Sequence, residues 1–326
     1  MQSQVAEVYE GFLPKTPLIQ ESVMLNRRNF LGTATAGMAV GYGSHGRAQV
    51  EAKATEICVF TKPLQSLSFD DLAEQVAKLG FDGLEAPIRL GGHMEPEVVP
   101  DKLPIMVEAL RKRGLKISIM TSGINDPDRV LTEVTLRTAA KLGIRRYRMG
   151  YLKYAPNIPV AKQLTEWQPQ LRDLAAMNRD LGIQAVYQNH AGNGYLGAAL
   201  WDLQRVLDGI SPKEIGVAYD IKHATVEGGM SWPLTFRMIR PHLDTVYVKD
   251  FVWDGKKPKN VPLGEGRIST SFFKMLAESQ FTGPISLHEE YLDHRKPELV
   301  PQHLAAIKKD FVTLKGLLRG AGFPVG

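Results

Sequence analysis

The chain has a single cysteine, Cys58, in 326 residues, so no internal disulfide can form in any redox compartment. Its setting, Ile57-Cys58-Val59-Phe60, is apolar and marks it as a buried small hydrophobe. No Pro/Ser linker, charge block or low-complexity tract interrupts the chain after its first 48 residues, which leaves one large domain as the simplest organisation. No apolar run is long enough to stay in a bilayer as a permanent helix. The positive balance, 40 Lys+Arg against 35 Asp+Glu, is mild and dispersed, which argues against a nucleic-acid partner. No Gly-x-Gly-x-x-Gly follows the first apolar run, so no nucleotide cofactor is expected.

What is present begins at the N-terminus. Asn26-Arg27-Arg28-Asn29-Phe30-Leu31-Gly32, followed by a weakly apolar run of Gly, Ala and Thr to Gly43, resembles a twin-arginine export signal. Met24 stands just before the pair and offers an alternative start to Met1. Cleavage after Gly46-Arg47-Ala48 fits the small-residue rule, dividing the chain into a leader over 1–48 and a mature domain over 49–326. The implied partner is the twin-arginine export machinery, and the implied location is the bacterial periplasm. That route carries folded proteins, often ones already loaded with a cofactor.

From Glu56 onward, short β-type runs alternate with helical patterns, the signature of βα units around a parallel sheet. The predicted strands are 56–60, 83–86, 115–121, 145–149, 184–188, 215–220, 245–249 and 284–290. Helices are predicted over 70–79, 104–113, 129–142, 164–181, 200–207, 272–279 and 304–318. Three of them end alike, in Leu79-Gly80-Phe81, Leu142-Gly143-Ile144 and Leu181-Gly182-Ile183. Glycine there supplies a left-handed cap and the next apolar residue heads toward a strand. Eight such units point to a single-domain α/β protein, a (β/α)8 barrel.

In such a barrel the chemistry lies where each strand ends. Glu85, Arg148, Gln188-Asn189-His190, Asp220 with His223, Lys249-Asp250 and His288-Glu289-Glu290 stand at those ends. Side chains two apart share a face of a strand. Ile285 and Leu287 should therefore face the helices, which sends Ser286, His288 and Glu290 inward and Glu289 outward. The same parity sends Asp220 inward beside Gly216 and Ala218, sends Tyr247 and Lys249 inward, pairs Gln188 with His190 and pairs Glu85 with Gly83. Asp250 belongs to that polar end or caps the segment after it. Leu263-Gly264-Glu265-Gly266 is either a plain turn or a loop over the mouth.

Phe81-Asp-Gly-Leu-Glu85, Tyr187-Gln-Asn-His190, Tyr219-Asp-Ile-Lys-His-Ala224, Val248-Lys-Asp250, Pro262-Leu-Gly-Glu-Gly266 and Ile285-Ser-Leu-His-Glu-Glu-Tyr291 occur in that order. With them the chain from about Glu56 to Tyr291 resembles the sugar phosphate isomerase/epimerase family of xylose-isomerase-like barrels. The resemblance implies a divalent metal (Mn, Zn or Mg) held by Glu or His on the fifth strand, Asp on the sixth, His on the seventh and Glu on the eighth. Asp220 and Glu290 match that pattern. Gln188 and Tyr247 depart from it, so a metal site would have to be completed by Gln188, His190 or His223.

The resemblance further implies proton abstraction next to a carbonyl, by a sugar isomerase, an epimerase or a keto-sugar lyase. Glu290 would supply the carboxylate, Lys249 would stabilise the oxyanion, and His223 would shuttle a proton or contact hydroxyls. Glu85, Arg148, Gln188, His190, Tyr247 and His288 would hold a small carbohydrate. Export favours free sugars or keto-glycosides over phosphosugars. A homo-oligomer is compatible with this reading. The rival from another class is a non-catalytic carbohydrate-binding barrel. A metal-dependent nuclease similar to endonuclease IV shares Asp220-x-x-His223 but needs additional histidine ligands that the sequence lacks.

Overall fold

Each of the three predicted glycine caps adopts the left-handed conformation, with φ of 86° at Gly80, 85° at Gly143 and 66° at Gly182, a region that costs a residue with a Cβ about 1–2 kcal/mol. The computed structural model describes residues 54–326, so the leader and its arginine pair lie outside the described residues. Among the described residues there are ten strands: β1 (Ile57–Phe60), β2 (Gly83–Pro87), β3 (Lys116–Thr121), β4 (Arg146–Arg148), β5 (Gln184–Gln188), β6 (Ile215–Asp220), β7 (Leu243–Val248), β8 (Asp250–Asp254), β9 (Lys257–Val261) and β10 (Ile285–Leu287). Eight of them pair in parallel and close as β1-β10-β7-β6-β5-β4-β3-β2. This is the predicted (β/α)8 barrel.

The helices are α1 (Phe69–Leu79), α2 (Val99–Arg111), α3 (Thr132–Lys141), α4 (Val160–Leu181), α5 (Trp201–Val206), α6 (Ile221–Gly228), α7 (Trp232–Ile239), α8 (Ser271–Glu278) and α9 (Val300–Gly320). Ser68 caps α1 by accepting from the Asp71 N–H at 3.1 Å, and Asp70 and Asp71 in its first turn complement the helix dipole. Helix α2 starts five residues before its predicted bound, because Pro100 fits the first turn, where its missing N–H has no partner to lose.

Sequence periodicity missed α6, α7 and the β8–β9 hairpin. The hairpin turns at Gly255-Lys256, with Gly255 at φ 59°, and a glycine opening a two-residue loop between extended runs is a signal that was there to read.

Cys58, Ile119, Val186, Ala218 and Tyr247 fill the barrel interior. Outward-facing strand residues such as Val59, Leu84, Tyr219 and Leu287 pack against the helices in the main core. Cys58 is fully buried, as its apolar setting predicts.

Asp250 turns out to organise a loop. Its carboxylate accepts from the N–H groups of Phe251, Gly264, Gly266 and Ile268 at 2.8–3.1 Å. The Leu263–Gly266 loop is thereby tied down toward α9, where Glu265 pairs with Lys309 at 2.6 Å. It does not line the central cavity.

Candidate active site

The strand ends converge on a cavity of ≈ 350 Å³ lined by Phe60, Lys62, Arg89, Arg148, Tyr151, Gln188, His190, Lys222, His223, Lys249, Asn260, His288 and Glu290. Strand parity holds in detail. Ser286 and His288 point inward, where both reach Glu85 Oε2, at 2.7 and 2.8 Å. Glu289 points outward and pairs with His303 on α9. Glu290 comes back to the mouth and accepts from Lys249 Nζ at 2.7 Å.

Asp220 sits one layer below Lys249. Its Oδ2 lies 3.0 Å from Lys249 Nζ and accepts from Gln188 Nε2 at 2.8 Å, while its Oδ1 caps α6 by accepting from the His223 N–H. Asn189 locks the strand end in place by exchanging two hydrogen bonds with the Asp220 backbone. Burial would raise both Asp220 and Glu290. The Lys249 ammonium beside both carboxylates, together with the His223 N–H from which Asp220 accepts, outweighs it and holds both below the usual carboxylate range. Burial would likewise depress Lys249, and its two carboxylate partners raise it instead.

The amide of Gln188 is fully used. Its oxygen accepts from Arg148 at 2.8 Å and from Tyr151 at 2.5 Å, and its nitrogen goes to Asp220. Arg148 lies over the rings of Phe60 and Tyr151, at 5.6 and 5.7 Å, positions in which a guanidinium gains from the ring quadrupoles. The rings of His190 and His223 lie with centroids 4.0 Å apart and planes tilted by 34°. Burial depresses both, His223 well below its ordinary value, so His223 faces the cavity as a neutral imidazole. Neither of its ring nitrogens has a hydrogen-bond partner among the described residues.

Two predicted substrate contacts lie elsewhere. Glu85 is fully buried under the floor, where Thr121, Ser286 and His288 donate to it and Arg148 stands 3.8 Å away. Tyr247 is fully buried beside His288 in the barrel interior. Parity turned both inward as expected, but their strand positions fall below the cavity. Both lie against His288, which does line it.

Sequence reasoning missed Phe60, Lys62, Arg89, Tyr151, Lys222 and Asn260 on the wall. Lys222 lay inside a quoted motif and was passed over. Asn260 arrives on the unforeseen hairpin, and its side chain donates to the Glu290 backbone at 3.0 Å.

The described residues match the model of one family, the xylose isomerase-like TIM barrel, over residues 73–310. The chain belongs to that family. Solved structures with the same fold include a D-tagatose 3-epimerase-like protein (18% identity, TM-score 0.63, covering 82% of this chain and 98% of that one). Another is 3-keto-D-glucoside 4-epimerase from E. coli (14%, 0.62, 80% and 99%). A third is a xylose isomerase-like barrel from Mycobacterium smegmatis solved with magnesium (13%, 0.61, 82% and 98%). No protein of curated function matches the chain in sequence.

The family's metal can be tested against the donor set. Of the four ligand positions, Asp220 and Glu290 are anionic, Gln188 turns an N–H donor toward Asp220, and Tyr247 lies beneath the site as a phenol. The point between the two carboxylates is taken by the Lys249 ammonium. Among the described residues no group of three or more His, Cys, Asp or Glu side chains is placed to hold an ion. A dication would have to displace a covalently tethered cation, so these residues do not fit the ligand set that the resemblance implies.

Proposed function

We propose that this protein is a carbohydrate-active isomerase or epimerase, or a keto-sugar lyase sharing the same first step, and that its chemistry runs on Lys249 and Glu290. The observation that carries this reading is Glu290 itself. Among the described residues it is the only acid on the cavity wall, and the 2.7 Å bond from Lys249 keeps it ionised. A carboxylate held as the anion is ready to accept a proton. Its weakness as a base is relieved as the reaction proceeds.

The C–H bond next to the substrate carbonyl breaks, the proton goes to Glu290, and the electron pair becomes an enediolate. Lys249 then transfers its hydrogen bond from Glu290 to the new oxyanion, which raises the basicity of Glu290 as the charge develops. His223, neutral and without a partner, is positioned to exchange protons with neighbouring hydroxyls. Return of the proton to the same or the adjacent carbon gives epimer or isomer, and loss of a leaving group from the next carbon gives the lyase product. Arg148, His190, His288 and Gln188 orient the sugar.

The arginine pair, which lies outside the described residues, supports placing this reaction in the periplasm after twin-arginine export. Exchange of solvent deuterium into a panel of free, keto- and phosphorylated sugars tests the chemistry, and exchange into none of them rejects it. Gln188 and Tyr247, standing where the resemblance expects ligands, favour the second reading, a carbohydrate-binding barrel without turnover. Sugar binding with no exchange would establish that one.

A further inference from the structure

Charge around the cavity does not balance. Among the described residues five cations line it, Lys62, Arg89, Arg148, Lys222 and Lys249, against one acid, Glu290. Two more carboxylates lie beneath, Asp220 at 3.0 Å from Lys249 and Glu85 at 3.8 Å from Arg148. Five cations less three carboxylates leaves an excess of two. The excess can be located. Lys62 stands 4.0 Å from Glu290, whereas among the described residues neither Arg89 nor Lys222 has a carboxylate partner.

Lys222 is the more costly of the two. It is 7% exposed, and it sits in the first turn of α6, where the helix dipole disfavours a cation. The neighbouring Lys249 repels it further. Beside it, His223 is 5% exposed with both ring nitrogens unpartnered. Arg89 follows β2 and Lys222 follows β6, strands that stand opposite each other in the ring of eight. The two unpaired cations therefore approach the cavity from opposite walls.

Proton abstraction does not account for them. When Glu290 takes a proton, the substrate gains the negative charge that Glu290 loses, and the total is unchanged. The surplus must be met by charge that the ligand brings with it. We propose that the substrate is a sugar acid, its carboxylate anchored by Lys222, with Arg89 supporting the anion from the opposite rim. This rests on the keto-sugar reading above. A carboxylate suits the anchor better than a phosphate. Phosphate sites gather several backbone N–H groups at a helix start or glycine turn, and here the His223 N–H is already taken by Asp220 Oδ1.

The test is calorimetric titration of the full chain with matched trios of hexose, hexuronate and hexose 6-phosphate. The expected result is a hexuronate bound at least about ten-fold tighter than its hexose, a gap of about 1.4 kcal/mol. Lys222→Met should close that gap while leaving the affinity for the hexose in place, and Arg89→Gln, on the rim, should narrow it without risk to the fold. No hexuronate tighter than its hexose overturns the proposal, as does a phosphate tighter than the uronate. Failure of the two readings is distinguishable. Uronate binding with no deuterium exchange rejects the isomerase chemistry alone, and exchange on neutral sugars with no preference for the uronate rejects the anion anchor alone.

Discussion

Lys249 Nζ stands 3.0 Å from Asp220 Oδ2, so the ammonium occupies the ground between Asp220 and Glu290 that the family pattern gives to a metal ion. The cation is built into the chain. Its charge is bought at the cost of burying a lysine that is 5% exposed, and two carboxylates offset that cost.

Replacing Lys249 should therefore do more than weaken binding. Lys249→Met leaves Asp220 and Glu290 without their shared cation and removes the oxyanion donor. We expect kcat/KM to fall by about 10²–10³-fold, the range found for loss of an oxyanion-stabilising donor. The parent enzyme, stripped with chelator and shown by elemental analysis to hold no stoichiometric metal, should keep its activity. Loss of activity on chelation, restored by Mn²⁺, would contradict the lysine-for-metal arrangement.

Glu290→Gln keeps the shape of the side chain and removes its basicity. Turnover should drop by about 10³-fold or more, within or beyond the range for general-base loss, with the far-UV spectrum unchanged. Full activity in this variant would exclude Glu290 as the base.

The pH profile carries a separate signature. Burial alone would raise Glu290, yet Lys249 and His288 hold it well below the ordinary carboxylate value. The ionised base is lost only as pH falls through that depressed value, so the acid limb of kcat/KM should lie below the usual glutamate range of about 4.3. In Lys249→Met the lowering charge is gone and the residual activity should show its limb shifted upward. An unshifted limb in the variant would mean that another group controls it.

Most of this site was legible because strand alternation is rigid. Ser286, His288 and Glu290 fell on one face and Glu289 on the other by counting alone, and Asp220, Gln188 and Lys249 followed. Depth was not legible. Glu85 and Tyr247 face inward like the others, but whether an inward residue reaches the cavity depends on the stagger between strands, which pairs Glu85 with the interior Ile119 and Tyr247 with Ser286. Residues delivered by irregular segments were also missed. Lys62, Arg89 and Tyr151 follow strand ends in loops whose course no periodicity encodes.

Glu85 should prove a positioning residue. Burial would raise its carboxyl, but His288 and Arg148 bring it down to about 2. A depressed folded value means stability that is present above about pH 4.3 and lost as pH falls toward 2. Glu85→Ala strands His288 and Arg148 beneath the cavity and should cost about 3–5 kcal/mol, as breaking a buried pair does. Urea unfolding of parent and variant measures it. A loss under about 1 kcal/mol would show that water or a shifted side chain satisfies the two stranded groups.

Asp310 gives the opposite sign. It accepts from the Leu263 N–H at 3.1 Å and so helps to hold the loop that Asp250 organises. Burial, with Glu289 nearby, raises its carboxyl to about 6. A folded value above the unfolded one of about 3.9 means that ionisation is resisted in the native state, so this group favours folding below about pH 4 and that contribution is lost as pH rises through 6. Asp310→Asn keeps an acceptor for Leu263 and removes the titration. The variant should match the parent near pH 4 and exceed it at pH 8 by on the order of 2 kcal/mol. Denaturant unfolding at the two pH values decides it. A variant less stable than the parent at pH 8 would show that the ionised carboxylate, through its hydrogen bonds to Leu263 and Tyr291, is worth more than its desolvation costs.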